Sequence, residues 1–146
     1  MPKLSETLIG TWELRSRIDT DDAGVRRPEP SLGEDPVALL IYDRGGNFAA
    51  QFMRRDRSTV VDDAAASGSN NSRAIGGYDA YFGTYSVDDE NGTVTQVLRG
   101  ALSRENLGMT LTRGMTVIDD TLIIRLQTTV NGVAVTRELR WTRVSL

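Results

Sequence analysis

Turn signals interrupt this chain about as often as a β-strand is long, and no helical run survives between them. Val37-Ala38-Leu39-Leu40-Ile41-Tyr42 runs into Asp43-Arg44-Gly45-Gly46, and Asn47 to Met53 returns. Glu90-Asn91-Gly92 leads into Thr93 to Leu102, and Asp119-Asp120 into Thr121 to Val130. Asn131-Gly132 then leads into a last run from Val133 to about Val144. Asn-Gly favours a two-residue hairpin because both residues accept positive φ. Gly10 to Ile18, Ala80 to Val87 and Met109 to Ile118 complete a set of eight strand-like runs. No stretch has the periodicity of a crossover helix. Strands joined mostly by hairpins pair antiparallel, and the two edges left over favour closing on each other. The expectation is one all-β domain, an eight-stranded antiparallel up-and-down barrel. Its interior would be just wide enough for side chains or one small ligand.

Two stretches break the rhythm. Asp19 to Pro36 holds three prolines and reads as a long loop. Arg54 to Gly77, between the third and fourth strands, reads as a flap or helix-bearing loop over one end of the fold. Within it, Asp62-Asp63 precede Ala64-Ala65-Ala66, where a short helix would set the aspartates at its positive end. Ser67 to Ser72 is small and polar and reads as mobile.

The residues that are missing limit the chemistry. The 146 residues include no histidine and no cysteine. Serine–histidine and cysteine–histidine catalysis, imidazole or thiolate metal sites and disulfides are therefore excluded. Proton transfer must use Asp, Glu, Tyr, Lys, Arg or the substrate. The net charge of −3 disfavours nucleic acid, which needs a basic face. No run is long enough for a membrane helix, and Met1-Pro2-Lys3-Leu4-Ser5-Glu6 is too polar for a signal peptide, so a cytoplasmic protein is expected. The acidic pairs Asp21-Asp22, Asp62-Asp63, Asp88-Asp89 and Asp119-Asp120 sit in turns without calcium-loop spacing. With no P-loop, dinucleotide fingerprint or nucleophile elbow either, no cofactor and no metal are expected.

Leu8-Ile9-Gly10-Thr11-Trp12 opens the first strand with the Gly-x-Trp motif. The Gly-Tyr-x-Ala-Tyr-x-Gly-x-Tyr run from Gly77 to Tyr85 is the most specific of the further matching pieces. Leu39 to Tyr42 with its Gly-Gly turn, Ala49 to Arg54, Asn91 to Thr95 and Trp141-Thr142-Arg143 add to it. Together these resemble the small bacterial and fungal lipocalin-like domain proteins over most of the chain. The resemblance implies a calycin-type barrel with a central cavity. It also implies that Trp12 plugs the closed end, with Arg143 from the last strand packed over it. Some proteins of this type cyclise or isomerise reactive intermediates in natural-product pathways. Many relatives carry histidine where this chain has Gln96, so an acid or base at that place is not shared.

Strand parity selects the candidate site residues. Trp12 and Leu14 should face inward, with Glu13, Arg15 and Arg17 outward. Val94, Gln96 and Leu98 form an apolar face interrupted by one amide. Leu111, Arg113 and Met115 form one interrupted by a guanidinium, and Val135, Arg137, Leu139 and Trp141 repeat the pattern. Apolar walls with a few fixed polar groups are what a binding cavity needs. Arg113 leads, because a buried guanidinium without a partner is costly and would hold a carboxylate, enolate or carbonyl. The alternative is an arginine paired within the core or lying outside. Gln96 and Gln51 would position a carbonyl, or be satisfied amides of a polar-lined barrel. Tyr85 and Tyr81 would donate to a developing oxyanion, or serve as wall. Tyr42 and Met53 complete the expected lining, with structural roles favoured for Tyr42 and Tyr78. Glu138, of opposite parity to Trp141, should face solvent.

The functional expectation is a cofactor-free cyclase or isomerase that folds an apolar, polyketide-like molecule into a reactive conformer. Arg113, Tyr85 and Gln96 would be its catalytic groups. The alternative is a non-catalytic carrier of a hydrophobic small molecule, and a third is a barrel plugged by its own side chains. No nucleic-acid or membrane partner is expected, and the protein would be a monomer or homodimer.

Overall fold

In the computed structural model, which describes residues 2–58 and 70–145, the strands follow one another around a closed barrel in sequence order. They are β1 (Gly10–Asp21), β2 (Val37–Tyr42), β3 (Asn47–Met53), β4 (Tyr78–Asp88), β5 (Thr93–Ala101), β6 (Thr110–Ile118), β7 (Thr121–Val130) and β8 (Val133–Ser145). Each pairs antiparallel with the next, and β8 closes on β1. A short helix, α1 (Leu4–Thr7), precedes β1, and a 3-10 turn, Arg104–Asn106, follows β5. The helix expected at Asp62-Asp63 and the middle of the expected flap lie outside the described residues. Among the described residues no helix is long and apolar enough to cross a membrane.

The turn chemistry explains the hairpins. Asn131 and Gly132 both take positive φ, 50° and 77°, between β7 and β8. At Phe82–Gly83 the register of β4 against β5 slips. There the backbones come so near that a Cβ on Gly83 would collide with the Val97 carbonyl.

A second slip changes the interior. β1 alternates as expected to Leu14, with Trp12 and Leu14 buried and Glu13 exposed. Between Leu14 and Ser16 its register against β8 shifts. Such a bulge inserts one residue and reverses which face the following residues take. Arg17 and Asp19 therefore turn inward and are buried. This corrects the expectation that Arg17 points outward and that the strand ends at Ile18.

The two ends differ. Trp12 fills the closed end, fully buried, its indole N–H donating to Leu8 O at 2.9 Å. The Arg143 guanidinium lies 4.2 Å from the ring centroid and donates to Ile9 O and Thr7 O at 2.7 and 2.6 Å. Leu8, Val94, Leu98, Leu111, Met115 and Leu122 pack above that plug as a solid apolar core. At the open end, the β1–β2 loop folds back and buries Glu29, Ser31 and Leu32, with Arg54 Nη1 donating to Pro30 O at 2.7 Å. The β6–β7 ladder runs only from Ile118–Thr121 to Gly114–Arg125, so the strands part towards this end. Asn70 sits in the parting: Thr112 N donates to its Oδ1 at 2.7 Å and its Nδ2 donates to Thr112 O at 3.1 Å.

Candidate functional site

The open half of the barrel holds a cavity of about 70 Å³, measured as the space open to the centre of a water molecule, and it opens to solvent at its mouth. Leu40, Phe52, Ile124, Leu126, Leu139 and Trp141 give it apolar walls. The strand register places Tyr42 deep, Gln96, Tyr81 and Arg113 midway, and Asp79 and Arg137 nearer the mouth.

Among the described residues, three arginines and three carboxylates are buried in this half. Arg137 grips Asp19 with two parallel hydrogen bonds of 2.8 and 2.9 Å, the fork geometry of a strong pair. Its Nη1 also reaches Asn71 Oδ1 at 3.3 Å. Arg17 lies 3.4 Å from Glu29, which further accepts from the Ser31 amide and hydroxyl and from the Leu32 amide. Burial pushes the Glu29 carboxyl up, but Arg17 and these donors outweigh it and hold it below the ordinary range. Burial, with repulsion from Arg137, brings Arg17 down to about 10, against the pull of Asp19 and Glu29. It remains charged at neutral pH.

Arg113 and Asp79 are different. Arg113 has no carboxylate within ion-pair distance among the described residues. Its Nη1 donates to Asn70 O at 2.8 Å, Asn70 Oδ1 at 3.0 Å and Thr112 O at 3.2 Å. Burial lowers its pKa, and Arg137 adds to the effect, while Tyr81 and Tyr42 oppose it. Asp79 Oδ2 accepts from Ser72 Oγ at 2.6 Å, and Oδ1 lies 3.5 Å from Asn106 Nδ2. Burial raises its pKa to about 6 despite Ser72 and the Ala80 amide. Deeper in, Tyr42 donates to Gln96 Oε1 at 2.6 Å. Burial pushes the Tyr42 hydroxyl well up and Tyr81 to about 12, so both stay protonated donors. Trp141, on the cavity wall, keeps a buried indole N–H without a partner among the described residues. Among the described residues no group of three acidic side chains is placed to hold a metal ion.

The sequence profile of the lipocalin-like domain matches residues 9–144. The chain belongs to the lipocalin-like domain family. None of the curated proteins matches it. Among solved structures it is similar to secretory abundant heat soluble protein 4 from Ramazzottius varieornatus. The identity is 14% and the TM-score 0.41, over 93% of this chain and 94% of that one. A lipocalin-like barrel with an apolar cavity suits the binding of a small molecule.

This lipocalin-like barrel brings Arg113, Gln96, Tyr81, Tyr42 and Arg137 onto one cavity. It places the other expected site residues elsewhere. Gln51 is exposed on the outer face, accepting from the Tyr78 hydroxyl at 2.6 Å. Inward parity on β3 falls to Phe48, Ala50 and Phe52, so an amide at Gln51 has no route to the interior. Tyr85 is half-buried and outside the cavity lining, its ring edge-on to Tyr42 and its hydroxyl donating to Asp43 O at 2.6 Å. Met53 lies half-buried at the open end of β3. Leu98, Leu111 and Met115 belong to the solid core rather than the lining. Glu138 pairs with Arg125 and Arg140 on the outer face.

Sequence reasoning missed Arg17, Asp19, Glu29, Asn71, Ser72 and Asp79. Only Asp79 carried a readable signal: it stands two residues before Tyr81, so the same parity that turns Tyr81 inward turns Asp79 inward too.

Proposed function

We propose that the protein binds an apolar small molecule carrying one oxyanion or strongly polarised oxygen, and that Arg113 holds that oxygen. The observation that carries this reading is the buried, cavity-lining guanidinium of Arg113, bonded among the described residues to neutral oxygens only, while Arg17 and Arg137 each hold a carboxylate. A buried charge gains from an opposite charge delivered by a ligand. The unpartnered indole N–H of Trp141 supplies a second donor, and the aliphatic walls supply affinity. Titration with anilinonaphthalene sulfonate, an apolar fluorescent anion, tests it. Arg113→Met should weaken binding at least about tenfold, the cost of one modest charge-assisted contact. Equal affinity in the two proteins overturns the assignment. Native mass spectrometry of the purified protein shows whether a molecule of this class co-purifies.

A second reading, a cofactor-free cyclase or isomerase acting on a polyketide-like intermediate, is favoured by one feature. Arg113 and the Gln96 amide serve the same apolar space, where donors stabilise charge growing on an oxygen. A carrier has no turnover to lose, so this reading requires a chemical step that the cavity accelerates.

A further inference from the structure

Among the described residues, the cavity contains one carboxylate with no cation on it and one cation with no carboxylate. Of the buried carboxylates, Asp19 is held by Arg137 and Glu29 by Arg17, while Asp79 touches no guanidinium among the described residues. Arg113 is its counterpart, and the two line the same space without pairing. A ligand lodged between them meets a base on one side and a charge-holding donor on the other. We propose that Asp79 is the general base of a cofactor-free proton-transfer activity on ligands with an acidic C–H beside a carbonyl, Arg113 and the Gln96 amide holding the enolate oxygen. This rests on the binding reading above.

The step balances without a co-reactant. Asp79 takes the proton from the carbon next to the carbonyl. The C–H electron pair becomes the enolate C=C bond, and the carbonyl π pair moves to oxygen. Returning the proton from Asp79 to the same carbon regenerates the ligand. Returning it to the far end of a conjugated system shifts the double bond. Nothing is oxidised or reduced. The groups facing Asp79 are Ser72, Asn106 and Tyr81, with Arg17 and Glu29 at longer range. A carboxyl raised by burial to about 6 is still ionised at neutral pH yet more basic than a solvated one. Tyr81 stays a neutral neighbour.

The competing role is a staple, since Asp79 also ties Ser72 and Asn106 to β4. The test uses beta-tetralone, an apolar ketone with acidic α-hydrogens, in D2O. Mass spectrometry reads deuterium uptake, and quenching of tryptophan fluorescence, Trp141 being in the wall, reads binding. The wild-type protein should exchange the ketone faster than buffer, with a rate that rises through about pH 6. Asp79→Asn should lose at least about 100-fold of that rate while still binding the ketone. Ser72→Ala keeps the base and removes one donor to it, so exchange should persist with its midpoint moved to higher pH. That movement is one a staple would not produce. A bound ketone with no exchange above buffer overturns the proposal and leaves the binding reading standing, as does an Asp79→Asn protein that exchanges like wild type. Failure to bind both the ketone and anilinonaphthalene sulfonate overturns the binding reading itself.

Discussion

At the closed end, Arg143 lies on the Trp12 ring and donates to the backbone carbonyls of Ile9 and Thr7. In the open half, Arg113 spends only Nη1, on Asn70 and Thr112. Both guanidiniums come from a barrel strand and neither holds a buried carboxylate. The first is saturated by acceptors that the fold fixes and no ligand could displace. The second depends on one loop residue and faces open space. The contrast separates an arginine committed to the fold from the one we propose holds a ligand, and the same substitution at the two places should show it.

Arg143→Met should cost the most, about 3 kcal/mol of stability in urea unfolding. It strands two carbonyls and removes the cation from the indole face. A loss under about 1 kcal/mol would mean the plug holds without it. Asp79→Asn should come next and carry the opposite sign. A carboxyl raised in the folded state from 3.8 to about 6 adds no cost below pH 3.8, a growing one between pH 3.8 and 6, and a constant one above. The asparagine protein should therefore match wild type near pH 3.5 and exceed it by up to about 3 kcal/mol at pH 8. Equal melting temperatures at pH 8 would show that Asp79 is not strained by burial. Arg113→Met should change stability least, within about 1 kcal/mol, because an apolar side chain replaces a desolvated charge. A loss as large as that at Arg143 would erase the distinction between the ends.

The strand plan was open to reading because turns and alternation are local. Val37–Tyr42, Asn47–Met53 and Thr121–Val130 fall where the turn residues bound them. Trp12 under Arg143 was also legible, through the Gly-x-Trp motif and the Trp141-Thr142-Arg143 ending. The site was legible on β5, β6 and β8, whose inward residues keep unbroken parity. It was hidden on β1, where the bulge after Leu14 follows from pairing with β8, more than a hundred residues away, and turns Arg17 and Asp19 over. It was hidden again in the β1–β2 loop, whose prolines and charges look solvated. Glu29 is buried there because Arg17, itself invisible as an inward residue, receives it. Gln51 shows the reverse limit: a plausible polar group on a strand whose inward places were already taken by Phe48, Ala50 and Phe52.

The parting of β6 from β7 above Gly114 and Arg125 leaves the wall of the can with a seam. Among the described residues one amide, that of Asn70, stitches it, by clasping Thr112 on both its donor and acceptor sides. Undoing that stitch breaks no rung of the ladder, so girth at the rim can change on this flank at the cost of side-chain bonds only. A wall closed in this way gives at a side chain before it gives in the strands.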